Sequence, residues 1–131
     1  MDVILLIKLL LAHILTDFVF QPTSWVEEKQ KKILSTSVFW LHILIAAGLS
    51  YLFVADWTNW KIPLVIFLTH GIIDATKLIL DKKELKNISS TALFLADQVL
   101  HILVIIILWF ASSSQIEASI TKFILVHQKE F

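Results

Sequence analysis

Four apolar segments, at about residues 3–20, 38–55, 62–80 and 92–111, constrain this chain most. Each approaches the roughly 20 residues a helix needs to cross the hydrocarbon core of a bilayer. With two Gly and two Pro in 131 residues, breakers are scarce and long helices are expected. Hydrophobic residues make up 57% of the chain, against the roughly 45–50% of soluble domains, and the mean hydropathy is +0.80. The expected fold is all-α: an integral membrane four-helix bundle, up-down-up-down, over residues 1–111, then a short amphipathic helix or tail at 112–131. The first segment lacks a basic leader and ends in Asp17 and Gln21, so it reads as a permanent helix rather than a signal peptide.

Ionisable residues inside such segments are expensive and mark function. His70, Asp74 and Lys77 stand at i, i+4 and i+7 and share one helix face. The first segment carries His13 and Asp17, the fourth carries Asp97 and His101 in reverse order, and the second contributes His42. In an up-and-down bundle, late positions on helices one and three lie at the depth of early positions on helices two and four. All seven His and Asp residues therefore converge on one layer, within roughly 5–15 Å of one membrane face at 1.5 Å per residue.

The connections are short. Pro22 ends the first helix, and the run at 27–32 (EEKQKK) reads as a solvated face. Pro63 suits the first turn of the third helix, and Ser89, Ser90 and Thr91 are candidate caps for the fourth. Trp25, Trp57, Trp60 and Trp109 fall near segment ends, as in interfacial aromatic belts. In the tail, Ile116, Ile120, Phe123, Ile124 and His127 share a face, which suits a segment lying along the membrane surface. Lys29, Lys31 and Lys32 in the first connection, with Lys82, Lys83 and Lys86 in the third, outnumber Lys61 in the second and Lys8, Lys122 and Lys129 at the ends. The positive-inside rule then places both termini outside and the polar layer near the cytoplasmic face.

With no Cys, thiolate sites are excluded and any metal is held by His and carboxylate. Zero formal net charge gives no reason to expect a nucleic-acid partner. Imidazole and carboxylate are the ligand set of zinc, manganese and iron centres. Three ionised Asp and Lys77 sum to −2, the charge one divalent cation neutralises; the donors are numerous enough for one ion with outer partners or for two. His13, Asp17, His42, His70, Asp74, Asp97 and His101 are the candidate ligands. Asp17, Asp74 and Lys77 are the candidate catalytic groups, Lys77 as a phosphate-binding or charge-stabilising residue or as one that snorkels to the interface. Gln21 and Gln98 read as outer-shell or helix-joining residues.

The pieces LLLAHILTDFVFQ (9–21), FWLHILI around His42, THGIIDATK (69–77) and LADQVLHIL (95–103) resemble the DUF3307 family of small bacterial integral membrane proteins. The resemblance implies the fold and a multi-pass location in the bacterial inner membrane, and carries no activity with it. The layout is similar in style to bacterial membrane-bound metal-dependent hydrolases, which place His/Asp pairs on successive membrane helices.

The leading expectation is a metal-dependent hydrolase acting on a lipid-like or membrane-accessible substrate, with membrane lipid as its surroundings. An ion or proton relay is the second, for which a homo-oligomer would supply the pathway that four short helices lack. A structural or accessory subunit, whose polar layer fixes helix register, is the third.

Overall fold

A computed structural model describes residues 2–83 and 87–127, apart from the side chains of Ile116 and His127. The bundle is all-helical, with no strand among the described residues. Helix α1 (Val3–Ile14) starts at Asp2, whose carboxylate accepts from the backbone N–H groups of Ile4 and Leu5 at 3.0 and 3.2 Å. It passes into one π-helical turn, Leu15–Val19, closed by the Phe20 N–H on the Leu15 carbonyl at 2.8 Å. Pro22 then ends the helix, and α2 (Thr23–Lys32) leaves at a bend of 82°.

A single 3₁₀ turn, Ile33–Ser35, leads to α3 (Ser37–Val54), which is capped by the Thr36 hydroxyl and closed by Ala55 in the left-handed conformation. Helix α4 (Lys61–Lys82) accommodates Pro63 in its first turn. The Ser89 hydroxyl accepts the Ala92 N–H at 3.1 Å and starts α5 (Ser90–His127), so one of the three expected caps is used in this way.

Neighbours pack as α1–α3, α3–α4, α4–α5 and α5–α1, a closed ring of four helices. Helices α3, α4 and α5 are each long and apolar enough to cross a membrane; the first segment meets the same test only jointly with α2. Val3–Val19 by itself is roughly 26 Å of helix at 1.5 Å per residue.

Residues at four-residue spacing make the inward face of α4: Ile62, Ile66, His70, Asp74 and Leu78. Two apolar clusters bracket the polar layer. Leu5, Leu9, Ala46, Ile62, Ile66 and Ile105 fill the end nearer the chain termini, and Phe39, Ile43 and Leu78 the end nearer the first connection.

Two features depart from the sequence expectation. Helix α5 continues through residue 111 without a break, because nothing between 111 and 127 is Gly or Pro. The segment at 112–127 is thus an extension of the fourth helix, while 128–131, Lys86, and the side chains of Ile116 and His127 lie outside the described residues. The run at 27–32 is not a wholly solvated face: Lys29 is among the most buried side chains, at 2% exposure.

Candidate metal centre

Each helix delivers its polar residues to the same place. On α1 and its π turn these are His13, Thr16 and Asp17. The extra residue of a π turn shifts helix register, a device found often at functional sites. The Thr16 hydroxyl spends its proton on the Ala12 carbonyl at 2.8 Å and leaves the layer to His13 and Asp17. His42 comes from α3, His70 and Asp74 from α4, and Asp97, Gln98 and His101 from α5. His13, His42, His70, Asp74, Asp97 and His101 are all buried, and the Asp17 side chain is 8% exposed.

Three donor atoms at the centre of the layer form a triangle. His42 Nε2 and His70 Nε2 lie 3.0 Å apart, and Asp17 Oδ1 is 3.5 Å from each. Donor atoms about 2.0–2.2 Å from a tetrahedral ion stand about 3.3–3.6 Å from one another. Around a six-coordinate ion adjacent donors stand about 2.8–3.1 Å apart at bonds of about 2.0–2.2 Å. The two 3.5 Å edges fall in the tetrahedral range and the 3.0 Å edge in the six-coordinate one, so an ion there would draw the three atoms into one geometry. The 3.0 Å contact is also an N–H···N hydrogen bond when one ring is protonated at Nε2. That bond leaves Asp17 Oδ1 without a partner, and Oδ1 indeed has none among the described residues.

Gln98 organises the second half of the layer. Its amide nitrogen donates to Asp17 Oδ2 at 3.1 Å and to Asp97 Oδ2 at 3.0 Å. Because both acceptors are carboxylates, the amide orientation is fixed, and Oε1 accepts from His13 Nε2 at 3.2 Å. The lone pair of His13 is then on Nδ1, 3.8 Å from Asp17 Oδ2. His101 is fixed in the opposite sense. Its Nδ1 donates to the Asp97 backbone carbonyl at 2.8 Å, so Nε2 carries the lone pair.

That Nε2, together with Asp97 Oδ1, is buried with no hydrogen-bond partner among the described residues. Leaving such groups unpaired costs about 1–3 kcal/mol each, and more for charged groups. A histidine held through one nitrogen by a carbonyl, with the other nitrogen free, is the usual posture of a metal ligand. Two ligand groups have donor atoms within 4.8 Å of one another: His13, Asp17 and His70, and Asp17, Asp97 and His101.

Charge supports a cation. Asp74 Oδ2 is 2.6 Å from Lys29 Nζ, a buried ion pair that is balanced in itself. Neither Asp17 nor Asp97 forms an ion pair with a lysine among the described residues, so direct contact with a lysine neutralises neither carboxylate. A cavity of about 20 Å³ lined by His13, Thr69, His70 and His101 adjoins the layer, enough for one water, which needs about 10–15 Å³.

The seven His and Asp residues read from the sequence thus meet in one layer, with Asp74 on its edge and engaged by Lys29. Lys77 is half-buried, with its ammonium 5.5 Å from the centre of the Phe94 ring, and makes no ion pair with Asp17 or Asp97 among the described residues. Gln21 donates to the Asp17 backbone carbonyl at 3.3 Å rather than to a carboxylate. Lys29 is the residue sequence reasoning missed. Its one signal was position, just past the Pro22 break that turns α2 across the bundle. Gln98 was legible as an outer partner, but its role as the bridge between Asp17 and Asp97 was not.

The chain belongs to the DUF3307 family, described as a protein of unknown function, which matches residues 5–129. No curated protein and no solved structure matches it.

Proposed function

We propose that this member of the DUF3307 family is an integral membrane protein that holds a divalent transition metal in its polar layer and uses it to hydrolyse a lipid-like or membrane-accessible substrate. The observation that carries the metal reading is the triangle of Asp17 Oδ1, His42 Nε2 and His70 Nε2, with edges of 3.5, 3.5 and 3.0 Å. Zinc, manganese and iron all suit this ligand set.

Support for the membrane comes from the inverted distribution of polarity. The polar groups are inside, while Ile4, Ile7, Leu44, Leu52, Ile72, Leu95, Val99 and Ile107 are exposed on the outer faces. The hydroxyls of Ser50 and Thr69 are satisfied by carbonyls of their own helices, as an apolar surrounding demands. The lysine-rich first connection reaches the polar layer through Lys29, which favours the cytoplasmic side for that layer.

A bound divalent ion would supply Lewis acidity and lower the pKa of water. Asp17, His42 and His70 would hold it. Gln98 fixes the Asp17 and Asp97 carboxylates, and the cavity beside His70 and His101 would admit the water.

A relay is the second reading, favoured by the rings of His42, His70, His101 and His13, which follow one another at centroid distances of 4.9, 4.3 and 5.0 Å. The deciding measurement is metal content of the detergent-purified protein beside His70→Ala, followed by a screen of phospholipid hydrolysis with wild type and Asp17→Asn. Bound metal with turnover that Asp17→Asn abolishes supports the hydrolase. Bound metal without turnover, but with cation or proton flux in liposomes, favours the relay. A wild type that neither carries nor takes up metal ends the metal reading.

A further inference from the structure

The donors do not gather evenly about one point; they divide around Asp17. One group comprises His13, Asp17 and His70, which His42 joins through Nε2, 3.0 Å from His70 Nε2 and 3.5 Å from Asp17 Oδ1. The other comprises Asp17, Asp97 and His101. Asp17 is common to both. Six donor residues exceed the four a tetrahedral ion takes.

The two lobes are contiguous, since the His70 and His101 rings stand 4.3 Å apart. Each lobe also has buried, unpartnered polar atoms: Asp17 Oδ1 and His42 Nδ1 in the first, His101 Nε2 and Asp97 Oδ1 in the second. An ion confined to the first lobe would satisfy Asp17 Oδ1 and leave the two donors of the second unpaired.

We infer that the layer is a two-metal centre, with Asp17 as the shared carboxylate, His42 and His70 anchoring one ion, and Asp97 and His101 the other. This rests on the metal-binding reading and adds to it the number of ions and the assignment of ligands. Ions sharing a carboxylate lie about 3.5–4 Å apart in two-metal sites. Charge is consistent with the arrangement: Asp17 and Asp97 offset half of the +4 of two divalent ions, which leaves a centre that attracts an anionic group. The ligand class that follows is a phosphate or carboxylate ester able to bridge both ions, with its negative oxygens supplying the missing charge.

The test is Mn(II) loading of the detergent-solubilised full chain, removal of free metal, elemental analysis and electron paramagnetic resonance. The expected wild type holds two equivalents and shows a spin-coupled signal. His42→Ala and His101→Ala, which lie on opposite lobes, each retain one equivalent with the six-line signal of an isolated ion, and Asp17→Asn loses both at the same loading. A wild type with one equivalent and an uncoupled six-line signal overturns the two-metal centre while leaving a single-metal site standing. A wild type with no bound manganese, and none after zinc or iron loading, overturns the underlying metal reading as well. Because the wild-type stoichiometry and spectrum decide the matter, a variant that fails to fold does not spare the proposal.

Discussion

Lys29 Nζ lies 2.6 Å from Asp74 Oδ2, 45 residues away in the chain, and both side chains are almost fully buried. This contact fastens α2, which turns 82° from the first segment, to the inner face of α4. It also neutralises Asp74, the carboxylate of the layer that belongs to neither candidate ligand group.

Breaking that pair from one side should be costly. Lys29→Met strands the Asp74 charge in a buried site, and losses of about 3–5 kcal/mol are typical of such a change. Replacing both, as Lys29→Met with Asp74→Leu, removes the stranded charge and is expected to restore most of the stability. Thermal unfolding of the three variants in detergent, followed by circular dichroism, checks this. Equal melting temperatures for the single and double variants would show that Lys29→Met leaves no costly stranded charge at Asp74.

That pair also marks where reading the sequence stops. The positions of His13, Asp17, His42, His70, Asp97 and His101 were legible because membrane-length helices have a fixed rise, and alternating direction sets their depth. Lys29 was not, because periodicity within a polar run reports a helix face but not what that face folds against. Pro22 announced a break, yet no local signal sets the direction of the chain after it. The π turn at Leu15–Val19, which carries Thr16 and Asp17, has no compositional signature at all. The unbroken course of α5 past residue 111 follows from the lack of a breaker, a signal that polarity of the tail outweighed in the sequence reading.

If the polar layer binds metal, the folded state should gain stability from it by mass action. At free metal about 100 times the dissociation constant the gain is about 2.7 kcal/mol. Zinc or manganese is therefore expected to raise the melting temperature of the wild type, and a chelator to reverse the rise. His42→Ala and His70→Ala should each show a smaller rise than wild type, since both contribute Nε2 to the 3.0 Å contact. Lys77→Ala should keep it in full, because the Lys77 ammonium lies over Phe94. An equal metal-induced shift in His70→Ala and wild type would place binding elsewhere.

Gln98 is expected to matter without touching metal. Its amide holds Asp17 and Asp97 at 3.1 and 3.0 Å and fixes the His13 ring through Oε1. Gln98→Met keeps the volume but removes all three bonds. Outer partners of this kind are worth about 10–100-fold in metal affinity, so competition titration against a chelator should show a loss of that size. An affinity within threefold of wild type would mean that the carboxylates are set by their own helices.

The two glycines should behave oppositely. A Cβ at Gly48 would meet nothing within 4 Å, so Gly48→Ala is expected to stabilise by about 0.5–1 kcal/mol through helix propensity alone. A Cβ at Gly71 would come 3.3 Å from Ile43 Cδ1 and 3.8 Å from Ile43 Cγ2. Gly71→Ala asks only the tip of Ile43 to move, and its net effect should be close to zero. Gly71→Val adds two methyl groups to a Cβ already 3.3 Å from Ile43, and overpacking of this kind costs about 1–3 kcal/mol. Each of these residues adjoins a candidate ligand in sequence, Ile43 beside His42 and Gly71 beside His70, so separating α3 from α4 there also lengthens the 3.0 Å contact between the two rings. Gly71→Val should thus weaken metal binding more than its loss of stability alone explains. Melting temperature and metal affinity measured on the same samples test the link. A Gly71→Val protein that is destabilised yet binds metal with wild-type affinity would show that the ring contact does not depend on close approach of α3 and α4.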